Sequence, residues 1–229
     1  MSPVSRYKNL ADLPNELPLF PLRGAILLPR TTLPLNVFEP RYLTMLDSVI
    51  SSDRLLGIIQ PKSIDSEDGE ESPHDPSAPM KPVGCTGRIT GYQELHDGRM
   101  AINLTGVMRF RIGDEVDQGQ PFRTFQVNHS EFEADLQAEN TEELANRAEL
   151  LKILQPYFEA RNLKADWQAF NNAPAELLIN SLSTICPFGP EEKQALLEAP
   201  DLDTRADVLA KLVVMELASD DRSGAEFSH

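Results

Sequence analysis

The sequence contains little cysteine and no long apolar run. Its two cysteines, Cys85 and Cys186, are far apart in the chain and lack the spacing of metal ligands. Two buried free thiols in a reducing compartment explain them better than a disulfide, which stays the alternative. No uncharged apolar stretch approaches the roughly 18 residues of a membrane helix, and residues 1–18 carry no apolar core of a signal peptide. We therefore expect a cytoplasmic protein that does not interact with a membrane.

Motifs of the common enzyme classes are also missing. No glycine precedes a lysine, which excludes a GxxxxGK[ST] phosphate-binding loop, and HExxH, CxxC and GxSxG do not occur. The histidines are expected on a loop, a turn, a strand end and the C-terminal tail, which disfavours a shared metal site: His74, His96, His129 and His229. We expect no catalytic residue, no cofactor and no metal, and an enzyme of an unfamiliar kind is a competing hypothesis.

Negative charge is concentrated in the second half of the chain. Of the formal net charge of −15, residues 130–229 carry −12 and residues 1–129 carry −3. Without residues 61–80, which hold six acids, the first half has a net charge of +2. A phosphate backbone would be repelled by the whole chain, although not by the first half alone. The charge distribution therefore disfavours nucleic acid as a partner.

Strands are predicted in the N-terminal half. Leu33, Leu35 and Val37 alternate with polar or proline residues, which is typical of a β-strand. Prolines within LPLFPL and TLPLNV indicate edge strands or irregular extended segments, because proline has no N–H for a central ladder. A hairpin is predicted over residues 88–112, with its turn at 97–98. Several strands at this spacing indicate a closed or half-closed barrel.

In the returning strand of this hairpin, every second residue is mostly apolar, and the residues between them are polar or charged in most positions. The apolar residues share the first parity: Ile102, Leu104, Met108, Phe110 and Ile112. Arg109 and Arg111 share the second parity. Gly106 falls on the apolar parity, where a missing side chain would let a long strand bend at a barrel corner.

Helices are predicted in two parts of the chain. One begins at Pro40 and carries an apolar stripe at spacings of three and four: Tyr42, Met45, Leu46, Val49 and Ile50. From Thr141 onward the apolar spacing becomes helical, and Pro174, Pro190 and Asp203 are expected to open three further helices.

These patterns divide the chain into four segments. We expect an N-terminal arm (1–15), a β-barrel subdomain (16–134), a helical bundle subdomain (135–218) and a disordered tail (219–229). Residues 61–80 are rich in proline, serine and acids. Such a segment buries too little apolar surface to offset its ordering entropy, so we expect a mobile loop inside the barrel subdomain.

The most specific segments of the sequence resemble those of one protein family. LPLFPLRGAILLP (17–29), LPLNVFEPRY (33–42) and LLGIIQP (55–61) resemble the opening of the N-terminal substrate-binding domain of Lon proteases, in the version of small stand-alone bacterial proteins. Residues 83–112 and 192–213 resemble the second half and the terminal helices of that domain. The resemblance implies an α+β fold: a six-stranded pseudo-barrel of the PUA-like type with an inserted helix, followed by a C-terminal helical bundle.

The same resemblance implies a binding function. In full-length Lon this region precedes an ATPase module and a Ser-Lys protease module, and helps to select unfolded or damaged substrates. Neither module is found in this sequence. The resemblance therefore implies a non-catalytic module that recognises unfolded polypeptide or a protein partner, in protein quality control. RNA binding is the alternative function, because barrels of this type bind RNA in other proteins.

Six residues are candidate polypeptide contacts because we expect them to be exposed: Arg23, Asn36, Phe38, Tyr42, Arg88 and Arg109. Exposed aromatic side chains beside arginines are common at binding sites. Structural roles compete with this interpretation. Phe38 could serve only as a hydrophobic staple of the helix that follows it, and Arg88 and Arg109 could be solvated outward positions of their strands.

Overall fold

The computed structural model describes residues 4–62, 78–137 and 147–226. The chain divides into two units, residues 1–137 and residues 138–229. The predicted boundary fell after residue 134, within a 3-10 segment (Ser130–Leu136). This segment packs on the longest strand of the first unit and therefore belongs to that unit.

A six-stranded sheet forms the first unit. Its strands are β1 (Glu16–Pro21), β2 (Thr32–Val37), β3 (Leu55–Ile59), β4 (Val83–Glu94), β5 (Met100–Val116) and β6 (Thr124–Asn128). Their order is β2-β5-β4-β3-β1-β6, and β5 also pairs with β6. Five strands therefore close into a barrel, and β2 extends it at one edge. The β1–β3 pair is parallel, and the other strand pairs are antiparallel.

β5 is long enough to pair with two strands along one of its edges. β2 pairs with residues 100–105 of β5, and β6 pairs with residues 111–116. Gly106 lies between these two stretches, and a Cβ at this position would overlap the carbonyl oxygen of Leu28. The missing side chain lets the chain before β2 approach β5 closely, whereas the role predicted for Gly106 was to let the strand bend.

A β-bulge in β5 changes which side chains share a face. The register between β4 and β5 shifts so that Val107 has no partner in β4. Residues on the two sides of such a bulge exchange faces. Arg109 therefore lies on the same face of the sheet as Leu104, while Phe110 lies on the opposite face. The apolar residues that share one parity along residues 102–112 therefore lie on both faces of the sheet, and Ile102, Leu104, Met108 and Phe110 are all buried.

One helix, α1 (Pro40–Ile50), is inserted between β2 and β3. Pro40 occupies the start of the helix, as predicted, because a residue there needs no intrahelical N–H partner. Four residues of the predicted stripe are buried: Tyr42, Met45, Leu46 and Val49. Glu39 precedes the helix, and its carboxylate accepts a hydrogen bond from Nε of Arg41 at 3.0 Å.

The N-terminal arm packs on the first unit through Val4, Tyr7 and Leu13, which are buried. The predicted mobile loop at 61–80 falls mostly on residues 63–77, which lie outside the described residues. Its two ends are paired: Pro61 forms a bridge with Met80, and the Lys62 amide donates to the Pro79 carbonyl at 2.7 Å.

Helices form the second unit. They are α2 (Arg147–Ala160), α3 (Trp167–Asn172), α4 (Ala175–Ile185), α5 (Pro190–Glu198) and α6 (Leu202–Glu226). The helices predicted at Pro174, Pro190 and Asp203 correspond to α4, α5 and α6. The helical pattern predicted from Thr141 begins outside the described residues and continues as α2. The short α3 was not predicted, and the Asp166 carboxylate caps it by accepting from the amides of two residues in its first turn.

The predicted tail begins within α6, which continues to Glu226. The sequence after Pro200 contains no proline, the residue that most strongly interrupts a helix. Residues 227–229 lie outside the described residues.

The core of the second unit contains aromatic rings and buried cationic side chains, among them Arg205. The rings of Tyr157 and Phe188 stack with centroids 5.8 Å apart. Arg205 is buried and donates to the Asn180 side-chain oxygen at 2.8 Å and to the Leu196 carbonyl at 2.9 Å. Both cysteines of the chain are free and buried, as predicted. The α+β class, with a six-stranded sheet and a C-terminal helical part, is confirmed.

Candidate functional site

Strand β2 lies at an edge of the sheet that the described residues form. Among the described residues, β2 pairs with β5 on one side and has no strand partner on the other. Prolines in LPLFPL and TLPLNV predicted edge strands or irregular extended segments. This prediction is confirmed for β2, which has Pro34 in its middle, and is wrong for β1, which pairs with both β3 and β6. An unpaired edge presents main-chain N–H and C=O groups that another extended chain can bind.

The register identifies which main-chain groups face outward. The amide of Gly106 donates to the carbonyl of Thr31, which stands directly before β2. Because alternate residues of an antiparallel strand bond to the same neighbour, the residues of β2 that bond to β5 are Leu33, Leu35 and Val37. The N–H and C=O groups of Thr32, Pro34 and Asn36 therefore point away from β5.

Because of Pro34, the outer edge of β2 offers fewer main-chain hydrogen-bond donors than acceptors. Proline has a carbonyl but no N–H. Thr32 and Asn36 offer both groups, whereas Pro34 offers only an acceptor at the centre of the edge. An incoming strand can thus donate to all three outward residues, but it receives hydrogen bonds from Thr32 and Asn36 alone.

An apolar flank runs beside the open edge. Leu33 and Leu35 are only half-buried, whereas their partners in β5, Leu104 and Ile102, are buried. The difference follows from the position of β2, because no strand of the described residues pairs with its outer side. Tyr92 of β4 stands opposite Ile102 on the same face and is 49% exposed.

Phe38 follows β2 directly and is 63% exposed. Its ring is therefore not buried as a hydrophobic staple of α1. The stretch from Thr31 to Phe38 contains no charged residue. The edge surface, which we define as β2 with Phe38, consequently offers main-chain hydrogen bonds and apolar side chains rather than charge. Of the six predicted contact residues, the structure places Asn36 and Phe38 on this surface.

Tyr42 does not belong to the exposed surface that we expected. It is buried, and its ring packs on Phe20 with centroids 4.3 Å apart. The guanidinium carbon of Arg41 lies 4.6 Å from the centroid of the Tyr42 ring. Burial raises the pKa of the Tyr42 hydroxyl above its ordinary value. The position of Tyr42 in the apolar stripe of α1 explains its burial.

Arg109 is also buried, contrary to the expectation of an exposed strand position. The Val107 bulge turns it toward the 3-10 segment, where its guanidinium binds the carboxylate of Asp135 at 2.9 Å. The ring of Phe132 covers the guanidinium carbon at 4.6 Å. Arg109 is thus committed to a structural ion pair and is unavailable to a ligand at the surface.

The other two predicted arginines lie apart from β2 in the sheet or chain. Arg88 of β4 is half-buried, and its guanidinium donates to the Tyr7 hydroxyl and the Asp53 carbonyl, both at 2.9 Å. These bonds tie the N-terminal arm to the sheet. Arg23 is exposed in the connection between β1 and β2. Of the aromatic and arginine side chains predicted as contacts, the structure therefore places Phe38 alone on the edge surface.

Sequence reasoning missed Thr32 and Leu35 of the edge surface, and it also missed Tyr92 of β4, which lies on the same face of the sheet as Ile102. Thr32 and Leu35 could have been found, because Pro34 and the alternation of apolar residues in TLPLNV already indicated an edge strand or an irregular extended segment. Tyr92 could not, because a second bulge at Thr90 turns it onto the face of Ile102.

Two further classes of site were sought in the described residues. No group of three or more His, Cys, Asp or Glu side chains among them is arranged to hold a metal ion. In the same part of the chain, every helix is too short or too polar to cross a bilayer.

Comparison with known proteins assigns the family. The model of the substrate-binding domain of ATP-dependent protease La (Lon) matches residues 16–214. The chain belongs to the Lon substrate-binding domain family. Its curated relatives include Lon proteases of Flavobacterium johnsoniae, 27% identical over 91% of this chain, and of Cytophaga hutchinsonii, 28% identical over 88%. The chain spans about a quarter of the length of these Lon proteases, 25% and 24% respectively.

Solved Lon N-terminal domains share the fold. A Lon N-terminal domain protein from Xanthomonas campestris superposes with a TM-score of 0.58 at 22% identity, covering 85% of this chain and 96% of the other. The N-terminal domain of the Mycobacterium avium complex Lon protease gives a TM-score of 0.62 at 20% identity, covering 87% and 98%. The family match lies within the substrate-binding domain and includes no catalytic domain of Lon.

Proposed function

We propose that this chain is a non-catalytic module that binds extended segments of unfolded polypeptide at the open edge of β2. The observation that carries the proposal is the outward main chain of Thr32, Pro34 and Asn36, beside the half-buried Leu33 and Leu35. Membership of a substrate-binding family supports a binding role for protein substrates or partners.

Main-chain recognition suits a ligand without a fixed sequence. Every residue of an extended segment except proline carries the same N–H and C=O groups, so an added strand can pair with an edge whatever its side chains. Unfolded polypeptide exposes these groups, whereas a folded protein has already paired most of them. The edge would therefore distinguish unfolded from folded chains without reading a particular sequence.

Apolar side chains would supply part of the affinity. Side chains on one face of a bound strand would cover the exposed sides of Leu33 and Leu35, and the ring of Phe38 lies at the end of the strand. A short edge and one exposed ring are a small surface, and a disordered ligand loses entropy when it binds. We expect a Kd on the order of micromolar to hundreds of micromolar, independent of ATP.

Non-catalytic action is also part of the proposal. The sequence lacks a phosphate-binding loop, and the family match includes no catalytic domain. We expect neither ATP hydrolysis nor peptide-bond cleavage by the purified chain. Hydrolysis that survives further purification and is lost on a point mutation in this chain would contradict this part. A role in protein quality control follows if the ligands are unfolded chains.

The test is a titration with labelled peptides of alternating valine and threonine, followed by fluorescence anisotropy. Two peptides carry N-methyl groups at alternate residues, one at the valines and one at the threonines. Pairing with β2 uses the N–H groups of one alternate set. One methylated peptide should therefore bind at least about tenfold more weakly than the unmethylated peptide, while the other keeps its affinity. Equal affinity of all three peptides would contradict binding by an added strand.

A second titration separates polypeptide from nucleic acid. Reduced and alkylated α-lactalbumin, which cannot fold, should bind with little dependence on salt because the edge surface is uncharged. Single-stranded RNA should show no binding under the same conditions. Binding of RNA with a steep salt dependence, together with no binding of the unfolded protein, would favour the RNA alternative.

A further inference from the structure

We propose that Pro34 makes the β2 edge selective for a foreign extended chain over the β2 edge of a second copy of this protein. The inference rests on the proposed function, because it concerns the same edge. An open strand edge can pair with an identical edge on another molecule, which leads to dimers or aggregates. Pro34 occupies the central outward position of the edge, where such pairing would have to form.

Two identical edges cannot satisfy each other at this position. In an antiparallel pair centred on the edge, Pro34 of one copy stands opposite Pro34 of the other. The two residues should exchange two hydrogen bonds, and neither has an N–H to donate. If the register shifts so that Pro34 faces Asn36, each copy still contributes one missing donor. Every register that pairs both prolines therefore lacks two donors.

A foreign segment meets only one missing donor. Its N–H groups can donate to the carbonyls of Thr32, Pro34 and Asn36, and its carbonyls can accept from Thr32 and Asn36. A flexible segment can also place a glycine or a small bulge opposite the proline ring, whereas β2 is fixed by its ladder with β5. The edge therefore favours proline-free, uncharged segments with aliphatic residues at alternate positions, which would lie beside Leu33 and Leu35.

The test restores the missing N–H. Pro34→Thr and Pro34→Val both add a donor, the first with a polar and the second with an apolar side chain. We expect both variants to form larger species than the native protein does at the same concentration, measured by analytical ultracentrifugation. Both should also bind the alternating valine–threonine peptide about tenfold more tightly. Pro121, which is exposed in the connection between β5 and β6, provides the control, and Pro121→Thr should change neither property.

The outcomes separate the inference from the proposed function. If the native protein binds the peptide and both variants sediment as the native protein does, the inference is wrong and the proposed function stands. Self-association of Pro34→Val alone would also overturn the inference, since a more apolar surface rather than a new N–H would explain that result. If both variants associate but no form binds the peptide, the inference holds for self-pairing and the proposed function fails. Unchanged melting temperatures for both variants establish that the fold of the first unit is intact.

Discussion

The carboxylate of Asp135 accepts hydrogen bonds from three nitrogens of Arg109. The backbone amide and Nε donate to Oδ2 at 3.0 and 2.9 Å, and the terminal guanidinium nitrogen donates to Oδ1 at 2.9 Å. Both side chains are buried, with exposures of 3% and 9%. The Asp135 carbonyl in turn accepts from Arg30, which stands just before β2, at 2.8 Å. This ion pair fastens the 3-10 segment to β5 and connects it with the start of the candidate edge.

Breaking this ion pair should destabilise the first unit strongly. Asp135→Ala would leave the Arg109 guanidinium buried without its carboxylate, which typically lowers the free energy of unfolding by about 3–5 kcal/mol. The measurement is urea denaturation followed by fluorescence or circular dichroism.

Glu131→Ala is the matched control. Glu131 pairs with Arg111 at 2.7 Å, but their side chains are 52% and 47% exposed. An exposed pair contributes about 1 kcal/mol or less. Equal losses for Asp135→Ala and Glu131→Ala would show that the burial of the Arg109 pair has no energetic consequence.

The close approach at Gly106 gives a second stability prediction. In Gly106→Ala the new Cβ would overlap the carbonyl oxygen of Leu28, so either the strand or the chain before β2 must move. We expect the free energy of unfolding to fall by about 3 kcal/mol, at the upper end of the usual effect of overpacking. Chemical denaturation measures the change. Gly91→Ala, whose Cβ would meet nothing closer than 3.5 Å, should stay within about 0.5 kcal/mol of the native protein.

Stability should depend on pH through His129. This residue is buried, and its Nε2 lies 2.9 Å from the Thr86 hydroxyl. Burial lowers the pKa of His129 from 6.5 to about 4 in the folded protein. The unfolded chain therefore binds more protons between these two values. The stabilising contribution is complete above pH 6.5 and is lost as the pH falls toward 4, a loss of about 3 kcal/mol.

The measurement is the free energy of unfolding between pH 4 and pH 7 for the native protein and for His129→Gln. The difference between the two should shrink as the pH falls, because the variant has no imidazole to protonate. His96, which is exposed in the turn between β4 and β5, is the control, and His96→Gln should follow the native curve. A constant difference between native protein and His129→Gln across this range would contradict the prediction.

The edge position of β2 was predictable because its signal is local. Pro34 and the alternation of Leu33, Leu35 and Val37 lie within six consecutive residues, and proline lacks the N–H that a central strand needs. The same signal was misleading for β1, which contains Pro18 and Pro21 but pairs with β3 on one side and with β6 on the other. The start of α1 at Pro40 and the turn at 97–98 were predictable because their signals are also local. Each depends on the conformations open to one or two residues.

The surroundings of Arg109 and Tyr92 were not predictable because register shifts decide them. The bulge at Val107 turns Arg109 toward the 3-10 segment, and the bulge at Thr90 turns Tyr92 onto the face of Ile102. A shift of one residue exchanges the two faces of a strand. Such shifts depend on neighbouring strands that are distant in sequence, so a period of two read along β5 cannot reveal them. The candidate site was therefore predicted at Asn36 and Phe38 and missed elsewhere.

Phe38 and Tyr42 should respond oppositely to removal of their rings. Phe38 is 63% exposed, so Phe38→Ala should leave the melting temperature unchanged and weaken peptide binding about threefold to tenfold. Tyr42 is buried against Phe20, so Tyr42→Ala should lower the free energy of unfolding by about 3 kcal/mol or more. Anisotropy titration and thermal denaturation measure the two properties. Met215→Ala, which removes a 65% exposed apolar side chain from α6, is the control for nonspecific loss of apolar surface. If Met215→Ala weakens binding as much as Phe38→Ala, the ligand binds exposed apolar groups in general, and the edge surface is not the site.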